Sequence, residues 1–305
     1  MKKKVVVIAG PTAVGKTELS ILLSKRINGE VINGDAMQVY KGLDIGTAKI
    51  TPEEMHGIPH HLFDIKEPDQ TFSAAEYQHA VRVKIDEVHT RGAIPVLTGG
   101  TGLYIQSVLY DYHFSEKGKD ESVRAKLEAE NENQEIDLHK RLAELDSDSA
   151  SAIHPNNIRR VIRALEIIET TGMTPAELKA SQKAESIYDH TLIGLDMDRD
   201  LLYQRINKRV DLMIEAGLEG EVRKLYDAGI RSVTSVQAIG YKEFYDYFDG
   251  KLTFEQTQDQ IKQNSRRYAK RQLTWFRNKM TFNWFNMTEN REKKIKEIID
   301  YHAGI

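Results

Sequence analysis

The chain has 305 residues, of which 40% are hydrophobic, with a net charge of −3 and no cysteine. This length accommodates a full α/β domain plus a smaller one. The absence of cysteine excludes disulfides and thiolate metal sites, and the net charge excludes a global basic field, so any nucleic-acid site must be a local patch. Met1-Lys2-Lys3-Lys4 precedes only a five-residue apolar run, too short for a signal peptide. No 18-residue apolar stretch occurs either, so a cytosolic protein without a membrane span is expected.

Val5 to Ala9 is an apolar, β-branched run, as a buried parallel strand should be. Gly10-Pro11-Thr12-Ala13-Val14-Gly15-Lys16-Thr17 follows and fits Gly-x-x-x-x-Gly-Lys-Thr, the phosphate-binding loop. Leu19, Leu22, Leu23 and Ile27 then recur at helical spacing over Glu18–Ile27. In such a strand–loop–helix unit, backbone N–H groups turn inward around an anion and the helix N-terminus adds partial positive charge. Lys16 can reach terminal phosphate oxygens, and the Thr17 hydroxyl can ligate Mg2+.

A second short strand, Glu30-Val31-Ile32-Asn33, runs into Gly34-Asp35. Ligands in open α/β sheets sit beyond the carboxyl ends of strands, which is where Asp35 lies. It suits a general base or a Mg2+-water ligand there, or a loop aspartate capping backbone. His56, His60 and His61 fall within six residues but lack helical i, i+4 placement, so no transition-metal site is expected. Ser73 and Glu76 form a capping box for a helix to about Arg91, closed by Gly92. Ile94-Pro95-Val96-Leu97 is the next buried strand, ending in Thr98-Gly99-Gly100-Thr101-Gly102, where glycines permit close backbone approach and Thr101 offers a hydroxyl.

From about Ser115 strand signals stop until about Thr191. Asp120–Asn131, Glu135–Leu145, Ile158–Thr170 and Pro175–Ser181 read as short helices punctuated by Gly118, Pro155 and Gly172. Arg159, Arg160 and Arg163 share one of them, with Glu166 and Glu169 beyond. Thr191-Leu192-Ile193-Gly194-Leu195 returns to the sheet, and no proline follows Pro175, so long helices can form. Leu201–Ala216 places Arg205 and Arg209 on one face, at i, i+4. A long helix from Thr253 ends in residues 265–279, with six positive charges, no acidic residue and interleaved aromatics, a composition that can grip a phosphate backbone. Trp275 and Phe276 within it are expected in the core. The fold class expected is α/β: a P-loop NTPase-like parallel sheet flanked by helices, formed by 1–114 and 186–305, with a helical insertion domain at 115–185.

Together these features resemble the tRNA dimethylallyltransferases, also called tRNA isopentenyltransferases. The resemblance runs nearly end to end. It is carried by residues 10–17, by Gly34-Asp35-Ala36-Met37-Gln38-Val39-Tyr40, by Leu43–Lys49, and by Pro59-His60-His61-Leu62. It continues in Gly99–Tyr104, His154-Pro155-Asn156, Arg163-Ala164-Leu165-Glu166, Ile239-Gly240-Tyr241 and Lys270-Arg271-Gln272-Leu273-Thr274-Trp275. The resemblance implies transfer of a dimethylallyl group from dimethylallyl diphosphate to N6 of the adenosine 3′ to the anticodon, in tRNAs reading codons that begin with U.

By that likeness, Gly10, Pro11, Thr12, Ala13, Val14, Gly15, Lys16, Thr17 and Arg209, rather than Arg205, would hold the diphosphate, with Mg2+ on Thr17. Asp35 would accept the amine proton, and Thr101 would contact the acceptor or the diphosphate bridge. Asp35, Ala36, Met37, Gln38, Thr101, Arg124, Arg159, Arg160, Val161, Ile162 and Arg163 would meet the tRNA anticodon stem-loop, bound by a cytoplasmic monomer. The chain departs from the family at Ala36, where serine is usual, so the hydroxyl contact expected there is missing. Two other readings share the phosphate loop: a small-molecule kinase or NTPase, and a nucleotide-regulated RNA-binding protein. The kinase would want a second acidic strand end near Leu97, where Thr98-Gly99 stands instead.

Overall fold

The structure, a computed structural model, describes residues 2–112, 114, 120–133, 136–180 and 185–302. The chain forms two compact units, Met1–Leu109 with Ser186–Ile305, and Tyr110–Glu185. In chain order the first unit contains β1 (Lys4–Ala9), α1 (Lys16–Ile27), β2 (Gly29–Asn33), β3 (His60–His61), α2 (Ala74–Thr90), β4 (Ile94–Gly99) and α3 (Gly102–Leu109). The second contains α4 (Glu121–Glu132), α5 (Leu138–Leu145), α6 (Ser147–Ala152), α7 (Ile158–Thr171) and α8 (Pro175–Ala180). The first unit then resumes with β5 (Asp189–Asp196), α9 (Arg199–Glu215), α10 (Leu218–Asp227), α11 (Tyr241–Phe248), α12 (Phe254–Lys279), β6 (Asn283–Asn286) and α13 (Arg291–His302). Ser115, Gly118, Glu135 and Ser181, at which the sequence placed breaks or helix ends, lie outside the described residues.

The six strands form one sheet in the order β3-β2-β4-β1-β5-β6, with every pair parallel. A parallel sheet is covered on both faces, which is why the strands read as continuous apolar runs rather than alternating ones. In β1, Val6 and Ile8 join Leu19 and Leu23 of α1, Ile193 and Leu195 of β5, and Ile295 and Ile298 of α13 in one core. Val5 and Val7, which point to the opposite face, are equally buried. Two strands, β3 and β6, were not anticipated; they are short and flank the sheet. The Nε2 of His61 in β3 meets the Glu30 carboxylate at 2.6 Å.

Local signals match local structure at several ends. Ser73 caps α2 in a full capping box with Glu76, and Thr253 does the same for α12 with Gln256. The helical unit has a core of its own, in which Leu127, Leu138, Leu142, Val161, Ile162 and Leu165 are buried together. Among the described residues no helix is long and apolar enough to cross a membrane.

Candidate active site

The carboxyl ends of β1, β2 and β4, the three neighbouring strands, bring the phosphate loop, Asp35 and Thr101 to one place. All three line a cavity of about 410 Å³. Its wall includes Thr12, Lys16 and Thr17 from the phosphate loop, Asp35 to Gln38 after β2, Thr98 to Thr101 after β4, and Arg209 of α9. Pro11, Ala13, Val14 and Gly15 do not line it, and Ala13 and Gly15 line a neighbouring cavity instead.

Gly15 precedes α1 without any side-chain cap, so the N–H groups of the first turn are left for an anion. Lys16 Nζ donates to the carbonyls of Gly10 (3.0 Å) and Pro11 (2.8 Å). Burial, and then the neighbouring Arg209 charge, push the Lys16 ammonium down to about 7, while Asp35 pulls the other way. Arg209 is itself lowered by burial, opposed by Asp35 and Glu54. Its Nη1 donates to the Thr12 hydroxyl at 3.3 Å. Two basic groups so placed suit an anion. Arg205, one turn earlier on α9, does not line this cavity but the neighbouring one, of about 610 Å³, together with Arg291, Glu18 and Glu54.

The acceptor side is built by close backbone approach. A Cβ on Gly99 would lie 2.1 Å from the Gly34 carbonyl, so only glycine lets the β4 end meet the β2 end. Gly34 N–H donates to Thr98 O (2.7 Å) and Thr101 N–H to Gly34 O (3.2 Å). Ala36 N–H then donates to the Thr101 hydroxyl at 3.1 Å. Asp35 does cap backbone, accepting from Met37 N–H at 2.8 Å through Oδ1, and it also faces the cavity. These are compatible, because a carboxylate has about four acceptor positions.

Several lining residues were not singled out in the sequence. Ile261, Ser265, Tyr268 and Gln272 of α12 line the cavity at i, i+4, i+7 and i+11, one stripe of a helix otherwise read as basic. Burial, with the Asp35 charge second, raises the Tyr268 phenol, so it stays a proton donor. Glu221 of α10 holds the wall segment 44–46. Its carboxylate accepts from the N–H groups of Asp44 (2.9 Å), Ile45 (2.8 Å) and Gly46 (3.0 Å), and from Tyr241 OH at 2.6 Å. Gln38 Nε2 in turn donates to Thr47 O (3.0 Å), so its amide is committed to that segment. The signal for Tyr268 and Gln272 was present as a helical period crossing a charged segment; nothing local marks Glu221.

In the helical unit, Arg159 and Arg160 are exposed on α7 and Arg124 pairs with Glu128 at 3.3 Å. Arg163 Nη1 lies 2.9 Å from the carboxylate of Glu166, a fully buried residue. The sequence reading also names Val161 and Ile162 among the tRNA contacts. Both side chains are buried in the unit's core with Leu165, one turn further along the same face of α7. In α12, Phe276 is fully buried, while Trp275 covers Gly102 and stays partly exposed.

Oxygen donors suited to Mg2+ are present. The Thr17 hydroxyl shares the cavity with Asp35, and such sites complete their coordination with water and substrate phosphate. Among the described residues no group of three or more His, Asp or Glu could hold a metal by itself.

The model of the family described as IPP transferase matches residues 38–279. The tRNA dimethylallyltransferase of Bacillus subtilis (strain 168) is 58% identical over 306 residues, covering 99% of this chain and 98% of the relative. The tRNA isopentenylpyrophosphate transferase of Bacillus halodurans, a solved structure, is 55% identical with a TM-score of 0.76, covering 100% of this chain and 96% of that one. A eukaryotic dimethylallyltransferase solved acting on tRNA is 33% identical with a TM-score of 0.84, covering 99% of this chain and 80% of that one.

Proposed function

The chain belongs to the IPP transferase family, and we propose that it transfers the dimethylallyl group of dimethylallyl diphosphate to N6 of the adenosine 3′ to the anticodon in tRNAs reading U-starting codons. The observation that carries the reading is that the cation pair Lys16–Arg209 and the carboxylate of Asp35 face one cavity. The first suits a leaving diphosphate and the second a departing proton.

An allylic diphosphate ionises by charge separation, so stabilising the leaving group is the main demand on the protein. The first-turn N–H groups of α1, Lys16 and Arg209 meet it. As the C–O bond to diphosphate breaks, the N6–C bond forms, and the N6 proton passes to Asp35. Mg2+ held through Thr17 would neutralise charge on the diphosphate. Thr101, whose hydroxyl accepts from Ala36 N–H, belongs with Asp35 to the acceptor side. The adenine must leave its stack to reach the cavity, at a cost of a few kcal/mol that anticodon-loop contacts offset. Arg159 and Arg160 of the helical unit and the basic end of α12 supply cations for those contacts.

The test is incubation with labelled dimethylallyl diphosphate and unmodified tRNA, beside labelled ATP without tRNA. Label should pass to tRNA with release of diphosphate. Tight use of ATP without transfer to tRNA would overturn the reading in favour of a kinase or NTPase.

A further inference from the structure

Gln272 of α12 lies where the two halves of the cavity meet. Its Oε1 accepts the Thr12 N–H of the phosphate loop at 3.0 Å. Its Nε2 donates to Gly100 O, in the segment that carries Thr101, at 3.1 Å. A backbone donor faces the oxygen and a backbone acceptor faces the nitrogen, so the amide has one orientation only. The residue is 5% exposed and both ends of the amide are satisfied.

The position of this amide matters because the sheet stops short of the site. Strands β1 and β4 pair in register as far as Ala9 and Gly99. Beyond that point no strand pairing joins the two segments, one carrying Thr12 and Lys16 and the other Thr101. Gln272 spans them, and the chain of contacts extends on both sides. Arg209 donates to the Thr12 hydroxyl, and Thr101 accepts from Ala36 N–H beside Asp35. The fit is tight: a Cβ on Gly100 would lie 2.0 Å from Gln272 Nε2, so any larger residue at 100 displaces the amide.

We propose that Gln272 is a positioning residue that fixes the separation between the diphosphate-binding loop and the Asp35–Thr101 acceptor side. The inference rests on the transferase reading above. A group transfer between two separately bound partners depends steeply on that separation, since a displacement of about 1 Å can cost about a hundredfold in rate. Each half of the site retains its own ligands without Gln272: Lys16 and Arg209 for diphosphate, Asp35 and Thr101 for the acceptor. The rate should therefore suffer where the affinities do not.

The experiment compares the native chain with Gln272→Met, which keeps length and bulk but makes neither hydrogen bond. Gly100→Ala serves as a second variant that displaces the amide from the opposite side without changing α12. Inorganic diphosphate affinity and tRNA affinity are measured separately, and single-turnover transfer is followed at saturating substrates. Both affinities should stay within about threefold while the rate falls about a hundredfold in each variant. Variants that melt earlier but transfer at the native rate when folded would give Gln272 a structural role alone and overturn the inference. Affinities that fall together with an unchanged saturated rate would overturn it as well. If the native chain transfers nothing, the transferase reading fails and takes this inference with it; native transfer with undiminished variants rejects this inference alone.

Discussion

Lys16 and Arg209 are two partly buried basic residues on one cavity wall, and the charge of Arg209 is among the reasons that the Lys16 ammonium is pushed down to about 7. On the proposed function, both would serve the same anion, the leaving diphosphate. Replacing Lys16 with Ala should lower turnover about a hundredfold, the usual loss for one preorganised electrostatic stabiliser. Arg209→Ala should chiefly weaken inorganic diphosphate binding. Steady-state turnover and calorimetric titration with diphosphate check the two effects; full turnover in Lys16→Ala would remove the phosphate loop from the mechanism.

Asp35→Asn tests the proton acceptor. Asn retains an oxygen for Met37 N–H, so the turn made at 2.8 Å survives. Both substrates should still bind, while single-turnover transfer drops by about 10² to 10⁴. The defect should be indifferent to Mg2+ concentration. Rescue by raised Mg2+, with diphosphate affinity recovering in parallel, would place Asp35 on the metal instead.

Contacts with tRNA need a more selective test than neutralising every arginine of α7. Arg163 lies 2.9 Å from the buried carboxylate of Glu166, so removing it strands a charge in the helical unit's core. Arg163→Gln should cost roughly 3 kcal/mol of stability, read by denaturant unfolding. Arg159 and Arg160 are exposed, and their joint change to Gln should leave stability intact. That double variant should weaken tRNA binding and flatten its dependence on salt, with dimethylallyl diphosphate binding unchanged. A native affinity insensitive to salt would reject the basic-patch reading.

Glu30 gives a prediction about pH and stability. Its carboxylate accepts two hydrogen bonds from Arg91, at 3.0 and 2.6 Å, and meets His61 at 2.6 Å. The Arg91 hydrogen bond is the largest influence on it, burial opposes, and its pKa is lowered below the usual glutamate value. A depressed carboxylate stabilises the fold above its unfolded pKa, and that stability is lost as pH falls through the folded value. Glu30→Gln should therefore destabilise by about 1–3 kcal/mol at neutral pH. The difference from the native chain should shrink in acid below the usual glutamate range. Unfolding curves at a series of pH values measure it, and a difference that stayed constant into acid would be inconsistent with this charge network.

Much of the fold was legible because β1, β2, β4 and β5 are apolar runs in a sheet covered on both faces. β3 has two residues, and β6 reads Asn-Trp-Phe-Asn, too short and too polar at its ends to show a period. The site divides in the same way. Lys16, Thr17, Asp35 and Thr101 follow strand ends in local sequence contexts that name their chemistry. Gln272, Tyr268 and Glu221 come from helices, and their reach into the cavity is decided by packing between elements far apart in the chain. On α7 the side chains of Val161 and Ile162 turn to the unit's core while those of Arg159 and Arg160 are exposed, a division set by packing within the helical unit.

The order of the sheet has a consequence for the chain as it is being made. β1 lies between β4 and β5, and the helical unit Tyr110–Glu185 is encoded between those two partners. A chain emerging from its N-terminus can pair β1 with β4 early. The other edge of β1, Val5 to Ala9, must wait until the helical unit has been synthesised before β5 arrives to cover it. An apolar strand with one open edge is a template for pairing with other chains, and parallel pairing across a long separation is slow. Placing a separate unit at that point of the chain lengthens the interval in which the middle of the sheet stands open.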